Sequence, residues 1–130
     1  MMSLRLELLR ADLVAAVRAG VGPDVLVVDD PGAVSPPCVF VDLPVVRLAG
    51  TMLEIATRVR VVGTVPGRGA DVGWMLSTAS DLLEALGPGD LGPDTVTRGK
   101  DQLPTMTYVA LVRVPRTMCA GVLTLTTRSA

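Results

Sequence analysis

Residues 51–62, Thr-Met-Leu-Glu-Ile-Ala-Thr-Arg-Val-Arg-Val-Val, decide the fold class. One parity carries Leu53, Ile55, Thr57, Val59 and Val61, and the other carries Glu54, Arg58 and Arg60. Successive side chains of an extended chain point to opposite faces, so this period-two pattern predicts a long strand with one face in a core and one in water. Such a strand belongs to a sheet that is covered on one side.

Toward the N-terminus, Pro36-Pro37 leads into Cys38-Val39-Phe40-Val41-Asp42-Leu43, a second strand ended by Pro44. Residues 44–50 hold Pro44 and Gly50 and read as a connection, so that these two strands form a hairpin with a loop of some length. Asp29-Asp30-Pro31-Gly32 is turn chemistry, and the β-branched run Val25-Leu26-Val27-Val28 before it is another strand. Over residues 3–19, Leu6, Leu9, Leu13 and Val17 recur at the helical period, with Ser3 as N-cap, Glu7 early and Gly20 and Gly22 as the stop. That segment is an amphipathic helix.

Toward the C-terminus, Gly63 to Gly69 reads as a glycine-rich connection into a helix over Asp71–Leu86, capped by Asp71. Its buried stripe is Val72, Met75, Ala79, Leu82 or Leu83, and Leu86, with Ser77, Asp81 and Glu84 toward water. Gly87-Pro88-Gly89 ends it, residues 87–94 read as loop, Thr95-Val96-Thr97 as a short strand and Arg98 to Asp101 as a turn. Thr107 to Val114 is apolar on both parities, as a central strand is, and Pro115 closes it. Val122 to Thr127 has strand propensity, and nothing in it says which sheet it joins. The order predicts an α+β fold, a mostly antiparallel sheet with two helices packed on one face. It forms a single domain over 1–114, followed by a β-prone tail over 115–130 that is a candidate inter-subunit arm.

Composition narrows function mostly by exclusion. The 130 residues are 49% hydrophobic and 19% charged, the balance of one folded domain. The absence of histidine removes Ser-His-Asp and Cys-His catalysis and His-ligated zinc. Twelve basic against thirteen acidic residues leave no surplus charge to drive phosphate binding. Cys38 and Cys119 have no C-x-x-C spacing and read as two buried thiols in a reducing compartment. Charges interrupt the N-terminal apolar run, which fits a cytosolic chain without a signal peptide, and the uncharged runs are too short to cross a bilayer.

Each candidate site has a plain alternative. Asp29 and Asp30 are adjacent carboxylates that suit a cation or an acid–base pair, yet Asp-Pro-Gly is ordinary turn grammar. Arg58 and Arg60, on the wet parity of the long strand, form a basic stripe for a partner or phosphate, or else make cross-strand ion pairs. Gly92 to Lys100 fails as a phosphate loop, because the glycine spacing is wrong and Asp101 stands where Ser or Thr is needed. Trp74 falls off the apolar stripe of its helix and packs either on a neighbouring subunit or at the edge of its own core. Phe40, Trp74 and Tyr108 are too few and too scattered for a base-stacking platform.

The element order and three stretches resemble the tail-terminator and related head-to-tail completion proteins of long-tailed bacteriophages. The stretches are Pro-Pro-Cys-Val-Phe-Val-Asp-Leu-Pro at 36–44, Ala-Asp-Val-Gly-Trp-Met-Leu at 70–76 leading into Asp81-Leu82-Leu83-Glu84-Ala85-Leu86, and Tyr-Val-Ala-Leu-Val-Arg-Val at 108–114. The likeness covers roughly 3–114 and consists of apolar strand patterns rather than invariant functional residues. It implies a virion subunit, without enzymatic activity or cofactor, made in the bacterial host cytoplasm. That subunit forms a hexameric ring on the last ring of the tail tube, stops tube growth and offers a surface to the neck. Its partners are then copies of itself, the tail tube protein, a neck or head-completion protein, and DNA passing through the lumen, with no membrane involved. Arg58, Arg60, Arg68, Arg98 and Lys100 become candidate contacts to partner subunits or to that DNA, and Trp74 a candidate interface anchor. The rival expectations are another connector subunit of the same virion, a small cytosolic α+β binding module, or an unusual enzyme built around Asp29, Asp30 or Lys100.

Overall fold

A computed structural model describes residues 4–64 and 71–119. In chain order the elements are α1 (Leu6–Val21), β1 (Val27–Val28), β2 (Cys38–Val41), β3 (Val45–Ala49), β4 (Met52–Val62), α2 (Asp71–Leu86), β5 (Asp90–Arg98) and β6 (Asp101–Pro115). Short 3₁₀ turns cover Pro31–Ala33 and Arg116–Cys119. The strands form one sheet in the order β1-β2-β4-β6-β5, with β3 also on β4, and every pairing is antiparallel except β1 with β2. The chain has the expected α+β architecture.

The period-two stretch is β4, and its odd parity faces the helices. Val59 and Val61 join Val39 and Val41 of β2 and Tyr108 of β6 in a core closed by Val14, Val17 and Val21 of α1 and Met75, Ala79 and Leu82 of α2. The two helices meet at Gly20, where a Cβ would collide with that of Ala85. Gly63 lets the end of β4 meet α2 at Met75, since a Cβ there would lie 2.7 Å from the Met75 sulfur. That contact comes nearly a turn after Val72, which is 64% exposed instead of buried as its place in the predicted stripe required. The stripe resolves to Met75, Thr78, Ala79 and Leu82, and Leu83 lies outward.

Three boundaries differ from expectation. Residues 44–50 are not a plain connection, because Val45–Ala49 is itself a strand on β4. β2 and β3 run end to end along β4: Val41 pairs with Val59, the Asp42 N–H donates to the Arg58 carbonyl, and Val45 pairs with Ala56. Leu43 and Pro44 therefore stand against Thr57 alone, a bulge that accommodates a proline lacking an N–H. The predicted hairpin of strands two and three is instead the tight β3–β4 hairpin through Gly50-Thr51, with Gly50 at φ 62°.

β5 begins at Asp90 and contains Pro93, which read as loop but is tolerated on an edge strand. β6 runs fifteen residues rather than eight and joins β5 through Gly99-Lys100, with Gly99 at φ 63°. At the start of α1 the cap position is Arg5, which makes no side-chain cap bond; the predicted cap Ser3 lies outside the described residues. So do Gly69 and the strand-prone run Val122–Thr127.

Candidate interaction face

The even parity of β4 faces away from the helices, and three kinds of surface lie along it. At the β1 end, Val28, Cys38, Phe40, Val62 and Leu103 form a second apolar cluster, with Val34 and Val96 against it. This face was expected to be wet, and here it is not. Val34 follows the 3₁₀ turn and Val96 comes from β5, so the cover is supplied by segments distant in sequence.

Next comes Arg60, between Phe40 and Thr107 in the register. Its Nη1 donates to Asp94 Oδ2 at 2.6 Å and to Thr107 Oγ1 at 3.4 Å, while Nε and Nη2 reach Asp42 Oδ2, each at 3.4 Å. The side chain is only 17% exposed. Asp94 also accepts from the Thr95 N–H at 2.8 Å, and that bond, followed by Arg60, holds its carboxyl below the usual range. Arg60 thus ties β4 to β5 and to the residue that follows β2 through two ion pairs, the alternative to a partner-binding arginine.

Further along lies Glu54, placed by parity in water yet only 7% exposed. Its Oε1 accepts from Arg47 Nε at 3.2 Å and Nη2 at 3.0 Å, and its Oε2 accepts from Arg113 Nε at 3.0 Å. Arg113, then Arg47, holds the carboxyl below the ordinary carboxylate range. The register makes this triplet, since Glu54 pairs with Arg47 across β3 and with Arg113 across β6. Between the two charged groups runs an apolar row, Val45–Ala56–Leu111, in which Val45 is 53% and Leu111 48% exposed.

Arg58 is exposed on the same face, in register with Val109, and has no ion pair among the described residues. Lys100 is exposed at the β5–β6 turn. Arg98 pairs with Asp101 in the strand register at that same hairpin end. Eight positions of β6 separate the partners of Arg58 and Arg98, about 27 Å along a strand, so these basic residues do not converge on one ligand. Arg68 lies outside the described residues. Trp74 is half-buried and packs on the helix-side core of its own chain.

The Asp30 carboxylate is taken up in the turn, and Asp29 is engaged through its backbone carbonyl. Asp30 Oδ1 accepts from the Gly32 N–H at 3.0 Å, and the Asp29 carbonyl accepts from Arg10. No group of three or more Cys, Asp or Glu able to hold a metal ion occurs among the described residues. Cys38 is fully buried; the environment of Cys119 lies outside what is described. An open groove of about 570 Å3 between α1 and the bulge is lined by Leu6, Arg10, Val14, Leu43 and Pro44 among others. The Arg10 guanidinium in it is already committed, donating to the carbonyls of Val41 at 2.8 Å, Asp42 at 3.2 Å and Asp29. It fastens α1 to the sheet.

Sequence reasoning missed Arg10, Arg47, Asp42, Asp94 and Arg113. Their partners lie 7 to 59 residues away, and no local pattern marks them. No helix is long and apolar enough to cross a membrane among the described residues. The chain matches no protein-family model, no curated protein and no solved structure.

Proposed function

We propose that this chain is a structural, non-enzymatic virion subunit of a long-tailed bacteriophage, a tail terminator that forms a hexameric ring on the end of the tail tube. It stops tube polymerisation there and joins the tail to the neck. Its partners are copies of itself, the tube protein and a neck protein, and DNA crosses the lumen without base-specific contact.

The observation that carries this reading is the far end of the sheet. β3, β4 and β6 continue past the row where Val59 and Tyr108 meet the helices, and that end exposes Leu43, Val45, Leu48, Leu111 and Val112. Val45 and Leu111 share one row on the face away from the helices, while Leu48 and Val112 lie on the opposite face of the same sheet end. An exposed apolar row beside complementary charges suits contacts between identical subunits. Free Arg58 on the neighbouring row suits a negatively charged surface or lumen content. The charged clusters are mutually neutralised and the Arg10 guanidinium in the groove is already in use, which weighs against a small-molecule site.

Native mass measurement with negative-stain imaging tests the reading, over a concentration series and with phage tail tubes added. Closed rings, or caps at tube ends, are expected. A strict monomer or dimer that ignores tubes overturns the reading in favour of a small α+β binding module. Rings that seat on a portal or head-completion complex instead of tubes would make it another connector subunit.

A further inference from the structure

Across one row of the face away from the helices, the strand register sets Arg58 of β4, Val109 of β6 and Asp90 of β5 side by side. Directly opposed residues of antiparallel strands share a face, so the three side chains stand on one surface. Arg58 and Asp90 are both exposed, and neither has an ion pair among the described residues. Neighbouring strands lie about 4.8 Å apart, which puts the two charged positions about 9.6 Å from each other with Val109 between them. On the Asp90 side, a shallow groove of about 310 Å3 runs along β5, lined by Asp90, Gly92, Asp94, Thr107 and Val109. A Cβ built on Gly92 would meet nothing within 4 Å, so that part of the groove is open. An acidic groove on one flank of β6 and an unpaired arginine at the same distance on the other are complementary to each other, yet they do not meet within one chain.

A second copy of the chain satisfies that pattern. Sheets pack face to face about 10 Å apart, and the long arginine side chain with the shorter aspartate spans the gap. A two-fold axis running along β6 over Val109 exchanges the β4 flank with the β5 flank, so that Arg58 of each copy lies over Asp90 of the other. The same operation sets Val109 against Val109 and Leu111, which is 48% exposed, against Leu111. It also carries Arg60 over Gly92, in the next row of the register, where no side chain stands in the way. A two-fold axis across the strands would instead stack Arg58 on Arg58 and Asp90 on Asp90, and like charges set opposite each other oppose association. Arg113 lies further along β6, but the roughly 30° crossing of aligned sheets carries its two copies apart, and Glu54 neutralises each.

We propose that two copies of the chain pack by these faces about the axis along β6, each seating its Arg58 in the Asp90 groove of the other. The contact is isologous, so it joins copies in pairs, and any larger ring is built from those pairs. The inference uses the face that the tail-terminator reading assigns to subunit contacts but does not rest on tube capping: a dimer that ignores tail tubes overturns that reading and leaves this one standing.

Native mass over a concentration series, by sedimentation equilibrium of the full chain, tests it through a charge exchange. The unmodified chain is expected to dimerise, and Arg58→Glu and Asp90→Arg each to weaken the dimer roughly tenfold or more while circular dichroism stays that of the parent. An equimolar mixture of the two variants is expected to recover the dimer, because each then offers the charge that the other needs at both contacts. A monomer at every concentration, single variants that associate as the parent does, or a mixture that stays monomeric overturns the proposal. Should either variant lose the folded circular dichroism signal, isotope-filtered NOEs in the unmodified chain between the Val109 methyls of differently labelled molecules decide instead. Only the axis along β6 brings those methyls together, so their absence overturns the two-fold arrangement, even where the mixture recovers mass.

Discussion

At the residue scale, the informative side chains are polar ones in apolar surroundings. Tyr108 is 3% exposed, and its hydroxyl donates to the carbonyl of Gly87 at 3.0 Å, at the C-terminal end of α2. Burial raises its pKa, so the phenol stays neutral and serves as a donor at physiological pH. Tyr108→Phe keeps the ring packing and orphans that carbonyl; it is expected to cost about 1 kcal/mol in chemical denaturation, with an unchanged m-value. Glu54 and Asp94 have folded-state pKa values held down by their partners. Their contribution is present above the unfolded carboxylate pKa and is lost as pH falls through the folded values, so stability should decline on acidification. Glu54→Gln should flatten that decline in melting curves taken from neutral to acidic pH, and an unchanged slope would show that the exposed arginines are solvated rather than bound.

At the element scale, the two helices depend on a close crossing. An interior helical glycine ordinarily costs about 1 kcal/mol relative to alanine, which by itself would make Gly20→Ala stabilising. Here the added methyl meets Ala85, whose Cβ has no rotamer through which to retreat. Overpacking of that kind costs about 1–3 kcal/mol, so it matches or exceeds the propensity gain. Gly20→Val adds bulk without helix propensity and is expected to lower Tm clearly, while Gly73→Ala, where nothing lies within 4 Å of the added atom, should leave Tm equal or higher. Leu82, fully buried beneath α2, should cost about 2–5 kcal/mol as Leu82→Ala by the same denaturation assay.

At the scale of the whole molecule, the sheet is longer than its helical cover. On the proposed ring reading, the Val45–Ala56–Leu111 row is a subunit contact, so the pair Val45→Lys and Leu111→Lys should leave circular dichroism and Tm near those of the parent and shift native mass to the monomer. Arg58→Glu, at a side chain without an ion pair among the described residues, should likewise spare folding and slow ring or cap formation, with an effect that shrinks as salt is raised. Retained assembly in both variants would direct attention to the exposed apolar residues of α2, Val72 and Leu76.

Periodicity along the chain was sufficient for both helices, the long central strand β4 and the α+β class, because residues three, four or two apart share a face whatever the rest of the chain does. Proline and glycine were the misleading signals. Pro44 and Pro93 read as connections, and only the sheet shows that one sits at a bulge and the other on an edge, where a missing N–H leaves no broken ladder bond. The candidate site was legible as charged residues on the wet parity of β4 and no further. Whether Arg60 and Glu54 are free or neutralised depends on which strands lie beside them, and Asp94 and Arg113 come from residues 34 and 59 positions away. Local pattern sets which face a side chain occupies; strand register sets which charge it meets, and register is a property of the folded sheet alone.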